Sequence, residues 1–153
     1  MRIDVGTEQL ILFEDMTRPN NIAIRGKACS GKTYQVLQIA KQVNPCKVVV
    51  VTDHPEDYMI TLPNIEVHSI IDFMVNPKNA IIVYDCYLMV MDGIYNYVYE
   101  LNKNSRFRNS LCITTWLTSM KVENSITMNC KYIIDTSVES LDNGSRRWKV
   151  GVS

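Results

Sequence analysis

The sequence has no excess of either charge and no long apolar run, and these absences exclude several classes of protein. Its 153 residues contain 16 Lys and Arg against 16 Asp and Glu, so the formal net charge is zero. A uniformly basic, histone-like surface is therefore excluded, and any basic patch has to be local. No apolar stretch approaches the roughly 18 residues that a membrane helix needs, and the start, MRIDVGTEQL, lacks the apolar core of a signal peptide. We therefore expect a cytoplasmic protein.

Paired cysteines and a histidine cluster are missing as well. The two histidines, His54 and His68, are expected at the surface or as satisfied core residues. The cysteines show neither a C-x-x-C pair nor a tight spacing with histidine, which argues against a zinc site or a disulfide framework and favours a reducing compartment. Most lie in apolar segments, where we expect them to pack as small hydrophobes. They are Cys29, Cys46, Cys86, Cys112 and Cys130.

Internal repeats, low-complexity segments and linkers are also absent, so we expect one domain over residues 1–153. With 46% hydrophobic and 21% charged residues, a chain of this length buries about two-thirds of its unfolded surface and forms its own core. The frequent asparagine is typical of an AT-rich genome, such as that of a virus or mobile element.

Short apolar runs alternate with helical spacings, which predicts an α/β fold with a mostly parallel sheet. Strands are predicted at residues 22–25, 47–52, 65–68, 80–85, 111–117 and 131–135, and helices at 33–43, 70–75 and 88–103. The last strand continues to residue 141 and meets a run at 146–152. Asn143 and Gly144 lie between them, and both tolerate positive φ, so we expect a C-terminal antiparallel hairpin.

The strongest motif, Gly26-Lys27-Ala28-Cys29-Ser30-Gly31-Lys32-Thr33, joins the first of these strands to the first helix. It satisfies G-x-x-x-x-G-K-[ST] in the strand-to-helix context of a P-loop, which predicts a three-layer P-loop NTPase fold. Gly26 and Gly31 let successive amide hydrogens surround a phosphate, and the helix adds its positive dipole end. Lys32 would reach the β- and γ-phosphates of ATP, and Thr33 would bind Mg²⁺. Lys27 either strengthens anion binding or lies in solvent.

The apolar strand AIIVYD ends in Asp85, which supplies the second part of the predicted site. In parallel sheets the carboxyl ends of the strands face the ligand, so Asp85 would point toward the magnesium held by Thr33. The alternative is that Asp85 caps the helix expected near Leu88. No Glu follows Asp85, although this is a common place for a hydrolytic acid in P-loop ATPases. Nucleotide binding is thus better supported than fast hydrolysis.

From about Asn21 onward the sequence resembles the RecA-like ATPase core shared by the recombinase RecA and the circadian-clock ATPase KaiC. VVVVTDHPEDY resembles the family's second-strand region, AIIVYDCYLMV its metal-binding strand, LCITTWLTS the strand whose polar end senses the γ-phosphate, and KYIIDTSVESLDNGSRRWKVGVS its terminal antiparallel strands. The resemblance implies Thr118 or Ser119 as the sensor. It also implies a catalytic acid after the second strand, where Asp53, His54 and Glu56 compete for the position.

The zero net charge conceals an asymmetry between the two parts of the chain. Residues 1–102 hold 8 basic and 12 acidic residues, and residues 103–153 hold 8 basic and 4 acidic. In the RecA-like family, basic residues on the terminal hairpin reach a neighbouring subunit's nucleotide site, which implies a homo-oligomer with such residues acting in trans. The candidates here are Arg146, Arg147 and Lys149. A second cluster, Lys103, Arg106 and Arg108, either contacts DNA or RNA phosphates or is a solvated helix end.

Together these features predict a Mg-dependent domain that binds and hydrolyses ATP, as an oligomer or with a nucleic-acid-processing partner. One alternative is a phosphotransferase acting on a nucleotide or other small acceptor, although the chain shows no arginine-rich lid. Another is a nucleotide-dependent binding module without turnover. If the strand from Leu111 lies between the P-loop strand and that of Asp85, the RecA-like class is favoured. If those two strands are adjacent, the kinase and GTPase branch is favoured.

Overall fold

The computed structural model describes residues 1–14, 18–59, 62–86, 92–105, 110–117, 124–136 and 149–152. The strands are β1 (Arg2–Val5), β2 (Glu8–Ile11), β3 (Phe13–Glu14), β4 (Arg18–Pro19), β5 (Ile22–Gly26), β6 (Val48–Thr52), β7 (Ile65–Ser69), β8 (Ile81–Asp85), β9 (Leu111–Leu117), β10 (Tyr132–Asp135) and β11 (Lys149–Val152). The helices are α1 (Lys32–Val43), α2 (Asp92–Lys103) and the short α3 (Asn124–Thr127). Turns of 3-10 helix cover Pro55–Tyr58 and Ile70–Asp72.

Seven of the described strands form one sheet in the order β11-β10-β5-β9-β8-β6-β7. The neighbours from β10 to β7 are parallel, and β11 is antiparallel to β10. The prediction of a mostly parallel sheet with a C-terminal antiparallel pair is therefore confirmed. The predicted turn of that pair, residues 142–145, lies outside the described residues. Strand β9 lies between β5 and β8, which is the order expected of the RecA-like class.

Both faces of this sheet are covered, because its central strands are apolar runs that alternate between two cores. On one face, α1 and the β1-β2 hairpin pack against β5, β6, β8 and β9. On the other face, α2 and α3 pack against the same four strands. Buried residues of the first core include Ile24, Val36, Ile39, Val50 and Val83, and those of the second include Ala23, Tyr84, Val98, Leu101 and Cys112. The sheet is thus buried on both faces, and residues 26–33 lie at its carboxyl edge.

The N-terminal hairpin was not predicted from the sequence. Strands β1 and β2 pair around a two-residue turn in which Gly6 has a φ of 59°, the left-handed region that favours glycine. The side chain of Gln42 on α1 accepts from the Asp4 amide at 2.7 Å and donates to the Asp4 carbonyl at 2.8 Å. The hairpin therefore closes the core beneath α1 with four buried side chains, Ile3, Val5, Leu10 and Leu12.

Two predicted helices differ from the observed elements. The helix expected at residues 70–75 is only a 3-10 turn over Ile70–Asp72, which is followed by irregular chain up to residue 77. The helix expected from Leu88 is described from Asp92 onward, since residues 87–91 lie outside the described part. Among the described residues, no helix has both the length and the apolar composition needed to cross a membrane.

The five cysteines all belong to the described residues, and none of them forms a disulfide. Cys86, Cys112 and Cys130 are buried, Cys46 is half-buried, and Cys29 is exposed. The expectation that most cysteines pack as small hydrophobes is thus met by the three that lie on or beside β8, β9 and β10. Cys29 differs from them because it belongs to the P-loop.

Candidate phosphate-binding site

Residues 26–33 leave the carboxyl end of β5 and turn directly into α1. Gly31, the residue before the helix, has a φ of 99°, which a residue with a Cβ rarely adopts. Lys32 is buried, and its ammonium group donates to the carbonyl oxygens of Gly26 at 3.2 Å and Lys27 at 2.8 Å. Burial lowers the pKa of Lys32, although the nearby Asp85 and Cys29 partly oppose this effect. The loop backbone therefore holds the ammonium group at the predicted phosphate site.

The two residues predicted to bind magnesium are brought into contact. Thr33, in the first turn of α1, donates its hydroxyl hydrogen to Asp85 Oδ2 over 2.7 Å. Asp85 is the last residue of β8, and β8 is separated from the P-loop strand by β9. The contact thus bridges the carboxyl edge of the sheet across one intervening strand.

Asp85 also accepts hydrogen bonds from two residues that were not predicted to lie in the site, Tyr58 and Thr115. The Tyr58 hydroxyl donates to Oδ2 over 2.6 Å, and the Thr115 hydroxyl donates to Oδ1 over 2.8 Å. Burial would raise the pKa of this carboxyl, but hydrogen bonds from His54, Tyr58 and Thr33 outweigh it and hold the pKa below its usual value. Asp85 is therefore an ionised, oriented carboxylate, although it is only 3% exposed.

His54 is buried and lies among three carboxylates. Its Nδ1 atom is 2.9 Å from Asp57 Oδ2, and its Nε2 atom is 3.5 Å from Asp85 Oδ1 and 3.8 Å from Asp53 Oδ1. A hydrogen bond to Asp85, with the charges of all three carboxylates, overcomes burial and raises the pKa of His54 to about 9. From the sequence His54 was expected to be a surface or satisfied core histidine, and it also competed with Asp53 and Glu56 for the position of the catalytic acid. Its position beside the predicted metal ligand depends on the path of the chain after β6.

The P-loop and the turn after β6 together line a cavity of about 260 Å³. The described residues that line it are Cys29, Ser30, Gly31, Lys32, Thr33, Asp57 and Asp85. One side of the cavity offers three kinds of group that bind phosphate in proteins: backbone amides of the loop, the ammonium group of Lys32 and the N-terminus of α1. Asp57 adds a carboxylate from a second part of the chain.

The other predicted site residues lie in different surroundings. Asp53 directly follows β6, and its side chain is 10% exposed; Glu56 is exposed on the 3-10 turn. Neither is among the described residues that line the cavity. The proposed sensors Thr118 and Ser119 and the basic residues Arg106, Arg108, Arg146 and Arg147 lie outside the described residues. Lys149 begins β11, where it pairs in register with Asp135.

Three contributing residues, Asp57, Tyr58 and Thr115, were missed in the sequence. Thr115 could have been found, because the pair Thr114-Thr115 interrupts an otherwise apolar strand and so indicates a polar group that faces the site. For Asp57 and Tyr58 the signal was only their closeness to the end of β6. A 3-10 turn starting at Pro55 brings both of them back to the carboxyl edge of the sheet.

The chemistry of this donor set fits Mg²⁺. The Thr33 hydroxyl and the Asp85 carboxylate are hard oxygen ligands, and Mg²⁺ is commonly held by one or two protein groups together with phosphate oxygens and water. Within the described residues, no group of three or more His, Cys, Asp or Glu side chains is arranged to hold a metal by itself. Bound there, Mg²⁺ would neutralise charge on the phosphates.

Comparison with known proteins agrees with this fold. No protein-family model and no curated protein matches the sequence. Among solved structures, the ATPases 2 and 3 of EssC from Geobacillus thermodenitrificans resemble the chain with a TM-score of 0.54 and 13% sequence identity over 76% of its length. This chain has a P-loop ATPase-like fold. It spans 32% of the EssC chain, and at this identity the likeness concerns the fold alone.

Proposed function

We propose that this chain binds ATP with Mg²⁺ and hydrolyses it, as a domain of the RecA-like type. The hydrogen bond between Thr33 and Asp85 is the observation that carries this proposal, because it joins a P-loop hydroxyl to the carboxylate of a second strand. The position of β9 between β5 and β8 supports the RecA-like type over the kinase and GTPase branch.

The described groups at this edge of the sheet could bind and activate a triphosphate. Amides of residues 26–33 would surround the β-phosphate, and Lys32 would leave its carbonyl partners for the β- and γ-phosphate oxygens. Positive charge at these oxygens stabilises the negative charge that moves onto them during transfer, which is usually the largest contribution to catalysis of this kind. Asp85 and Thr33 would supply the protein ligands of Mg²⁺.

Replacing the P-loop lysine tests the proposal. We expect Lys32→Ala to lower ATP turnover by roughly 10²–10³-fold, because it removes a preorganised positive charge from the transition state. Lys41→Ala is the matched control, since Lys41 is an exposed lysine in the last turn of the same helix. Phosphate release is measured with both variants after circular dichroism has shown that each is folded. Equal turnover by Lys32→Ala and the wild type would refute ATP hydrolysis at this site.

A binding module without turnover is the second candidate, and one observation favours it. The position after Asp85, where many P-loop ATPases have a hydrolytic acid, is occupied by Cys86. Its buried thiol donates to the Val51 carbonyl at 3.3 Å. Burial raises the pKa of this thiol, so it cannot act as a base near neutral pH. ATP binding with no phosphate release, even with DNA, RNA and high protein concentration, would establish this alternative.

We also propose that turnover requires a second copy of the chain. The RecA-like resemblance implies that basic residues of the terminal hairpin reach a neighbouring subunit's nucleotide, and Arg146, Arg147 and Lys149 are the candidates. Turnover per subunit should then rise steeply with protein concentration. Lys32→Ala and Arg147→Ala should each be inactive alone, but a mixture of the two should recover activity. In the mixture, Arg147 of the Lys32→Ala subunit would reach the intact P-loop of the Arg147→Ala subunit. No recovery, together with concentration-independent turnover, would point to a monomer.

A further inference from the structure

We propose that Asp57 is the carboxylate that orients and deprotonates the attacking water, and that His54 is the positioning residue that holds it. This inference rests on the proposed ATP hydrolysis and assigns the catalytic acid that the sequence left open among neighbouring residues. It also gives a role to a buried histidine that the binding of ATP and Mg²⁺ does not use.

Asp57 lies where a residue that activates water is needed. Its side chain lines the phosphate cavity together with Lys32 and Thr33, yet it comes from the 3-10 turn after β6 and not from the P-loop. It is 49% exposed, so water reaches it. The turn is fixed in place, because the next residue, Tyr58, is buried and donates its hydroxyl hydrogen to Asp85. Asp57 therefore stands at a defined place in the wall of the cavity that the P-loop lines.

The neighbouring carboxylates are less suited to this role. Asp53 is nearly buried, and its Oδ1 atom is 3.8 Å from Nε2 of His54. Glu56 is exposed but is not among the described residues that line the cavity. Asp85 accepts hydrogen bonds on both oxygens and is reserved for the metal. Of these four carboxylates, Asp57 alone both lines the cavity and remains open to water.

His54 fixes the orientation of Asp57. Its Nδ1 atom is 2.9 Å from Asp57 Oδ2, and the backbone amide of Asp57 donates to the His54 carbonyl at 3.1 Å. On the other side of the ring, Nε2 lies 3.5 Å from Asp85 Oδ1. The imidazole therefore lies between the carboxylates of Asp57 and Asp85. Oδ2 of Asp57 is next to His54, which leaves its second oxygen for water. The same ring links the water site to the metal-binding carboxylate.

The reaction balances with these groups and water alone. The water oxygen forms a bond to the γ-phosphorus while the bond between that phosphorus and the β,γ-bridging oxygen breaks. ADP leaves with the electron pair of the broken bond. Asp57 accepts one proton from the attacking water and then returns it to the inorganic phosphate, so the carboxylate is ionised again at the end of the cycle.

A series of neutral, similarly shaped variants tests the assignment. We expect Asp57→Asn to lower kcat by about 10²-fold or more, while binding of a fluorescent ATP analogue changes by less than about threefold. Asp72→Asn, an exposed carboxylate on the other 3-10 turn, is the control that leaves both unchanged. Asp53→Asn and Glu56→Gln should each cost less than Asp57→Asn. A larger loss of kcat in either rival, or wild-type kcat in Asp57→Asn, overturns the inference but leaves ATP hydrolysis standing.

Failure of the proposed function has a different signature. If the wild type binds the analogue but releases no phosphate under any protein or nucleic-acid concentration, the hydrolysis proposal and the role of Asp57 both fall. If the wild type releases phosphate and Lys32→Ala does not lose it, the site of hydrolysis is wrong. When the wild type releases phosphate and Lys32→Ala does not, the kcat of Asp57→Asn decides the role of Asp57: a large loss supports it, and a wild-type value overturns it.

Two substitutions of His54 separate positioning from simple packing. An Asn side chain places its amide nitrogen near Nδ1, and a Gln side chain places it near Nε2. His54→Asn should therefore keep the contact with Asp57 and retain more kcat than His54→Gln, with similar ATP binding in both. A purely structural role predicts that kcat follows the melting temperature of each variant. Equal kcat in the two variants, or more in His54→Gln, overturns the positioning role.

Discussion

Cys29 places a thiol on the wall of the cavity at the P-loop, in surroundings unlike those of the other cysteines. It is exposed, whereas Cys86, Cys112 and Cys130 are buried, and burial raises the pKa of Cys130 to about 12. Burial also raises the pKa of the half-buried Cys46. Because the thiolate is the reactive form, exposure and pKa together set the order in which these residues react.

We expect iodoacetamide to modify Cys29 first in the native protein at neutral pH. ATP with Mg²⁺ should slow this reaction, because bound phosphates would cover the loop, and should leave the slower reaction of Cys46 unchanged. Mass spectrometry of tryptic peptides over time measures both rates. Modification of Cys46 ahead of Cys29, or a Cys29 rate indifferent to nucleotide, would contradict the assignment of the cavity.

Thr114 and Thr115 are neighbours on β9, but their hydroxyl groups lie in different surroundings. Thr115 donates to Asp85, whereas no described residue provides a hydrogen-bond partner for Thr114 Oγ1, although both side chains are buried. A hydrogen bond to a charged group contributes more than one between neutral groups, and a buried hydroxyl without a partner is unfavourable.

The two threonines therefore predict opposite outcomes of one substitution. Thr115→Val should lower the free energy of unfolding by about 2 kcal/mol and weaken Mg²⁺-dependent ATP binding. Thr114→Val should be neutral or slightly stabilising and leave binding intact. Urea denaturation and nucleotide titration of both variants give the comparison. Equal destabilisation by the two changes would mean that the contact with Asp85 contributes nothing.

The strands and helices that surround the site were predictable because their sequence patterns are local. The β6 run and the β8 run are apolar on both faces, and the spacing of α1 is helical. The meeting of Thr33 and Asp85 also followed, since parallel strands end at one edge of a sheet. The contact of His54 with Asp85 could not be predicted, because it joins two segments that are far apart in the sequence.

The N-terminal hairpin was missed for a similar reason. Its strands are short, and its turn, Gly6-Thr7, is not the Asn-Gly or Asp-Gly pair that most strongly signals a hairpin. Its strands alternate buried and exposed residues, but the buried ones contact α1, which the sequence pattern alone does not identify as their partner. Sequence patterns indicate which face of a segment is apolar, but they do not identify the partner of that face.

We expect this hairpin to contribute to the stability of the protein. Leu10→Ala should cost about 2–5 kcal/mol of unfolding free energy, since Leu10 is 1% exposed in the core beneath α1. Gln9→Ala, at an exposed position of the same strand, should change it by less than about 0.5 kcal/mol. Chemical denaturation measures both. A small effect of Leu10→Ala would show that the hairpin packs more loosely than described.

Binding of nucleotide at the sheet edge should stabilise the entire chain. A ligand at 100 times its dissociation constant adds about 2.7 kcal/mol, which raises the melting temperature of a domain of this size by roughly 5–10 °C. Thermal denaturation should show this shift with ATP and Mg²⁺, a smaller one with ATP and EDTA, and none in Lys32→Ala. An equal shift in Lys32→Ala would place the nucleotide elsewhere.

The pairing of β5 with β9 and β10 has a consequence for folding. Ile22 of β5 lies opposite Ile113 and Tyr132, so both neighbours of the P-loop strand come from the later part of the chain. Contacts between residues so distant in sequence close large loops, which slows folding. During synthesis β5 must wait without sheet partners until β9 and β10 have left the ribosome. We therefore expect the phosphate site to form late in folding, and a chain truncated before β9 to lack it.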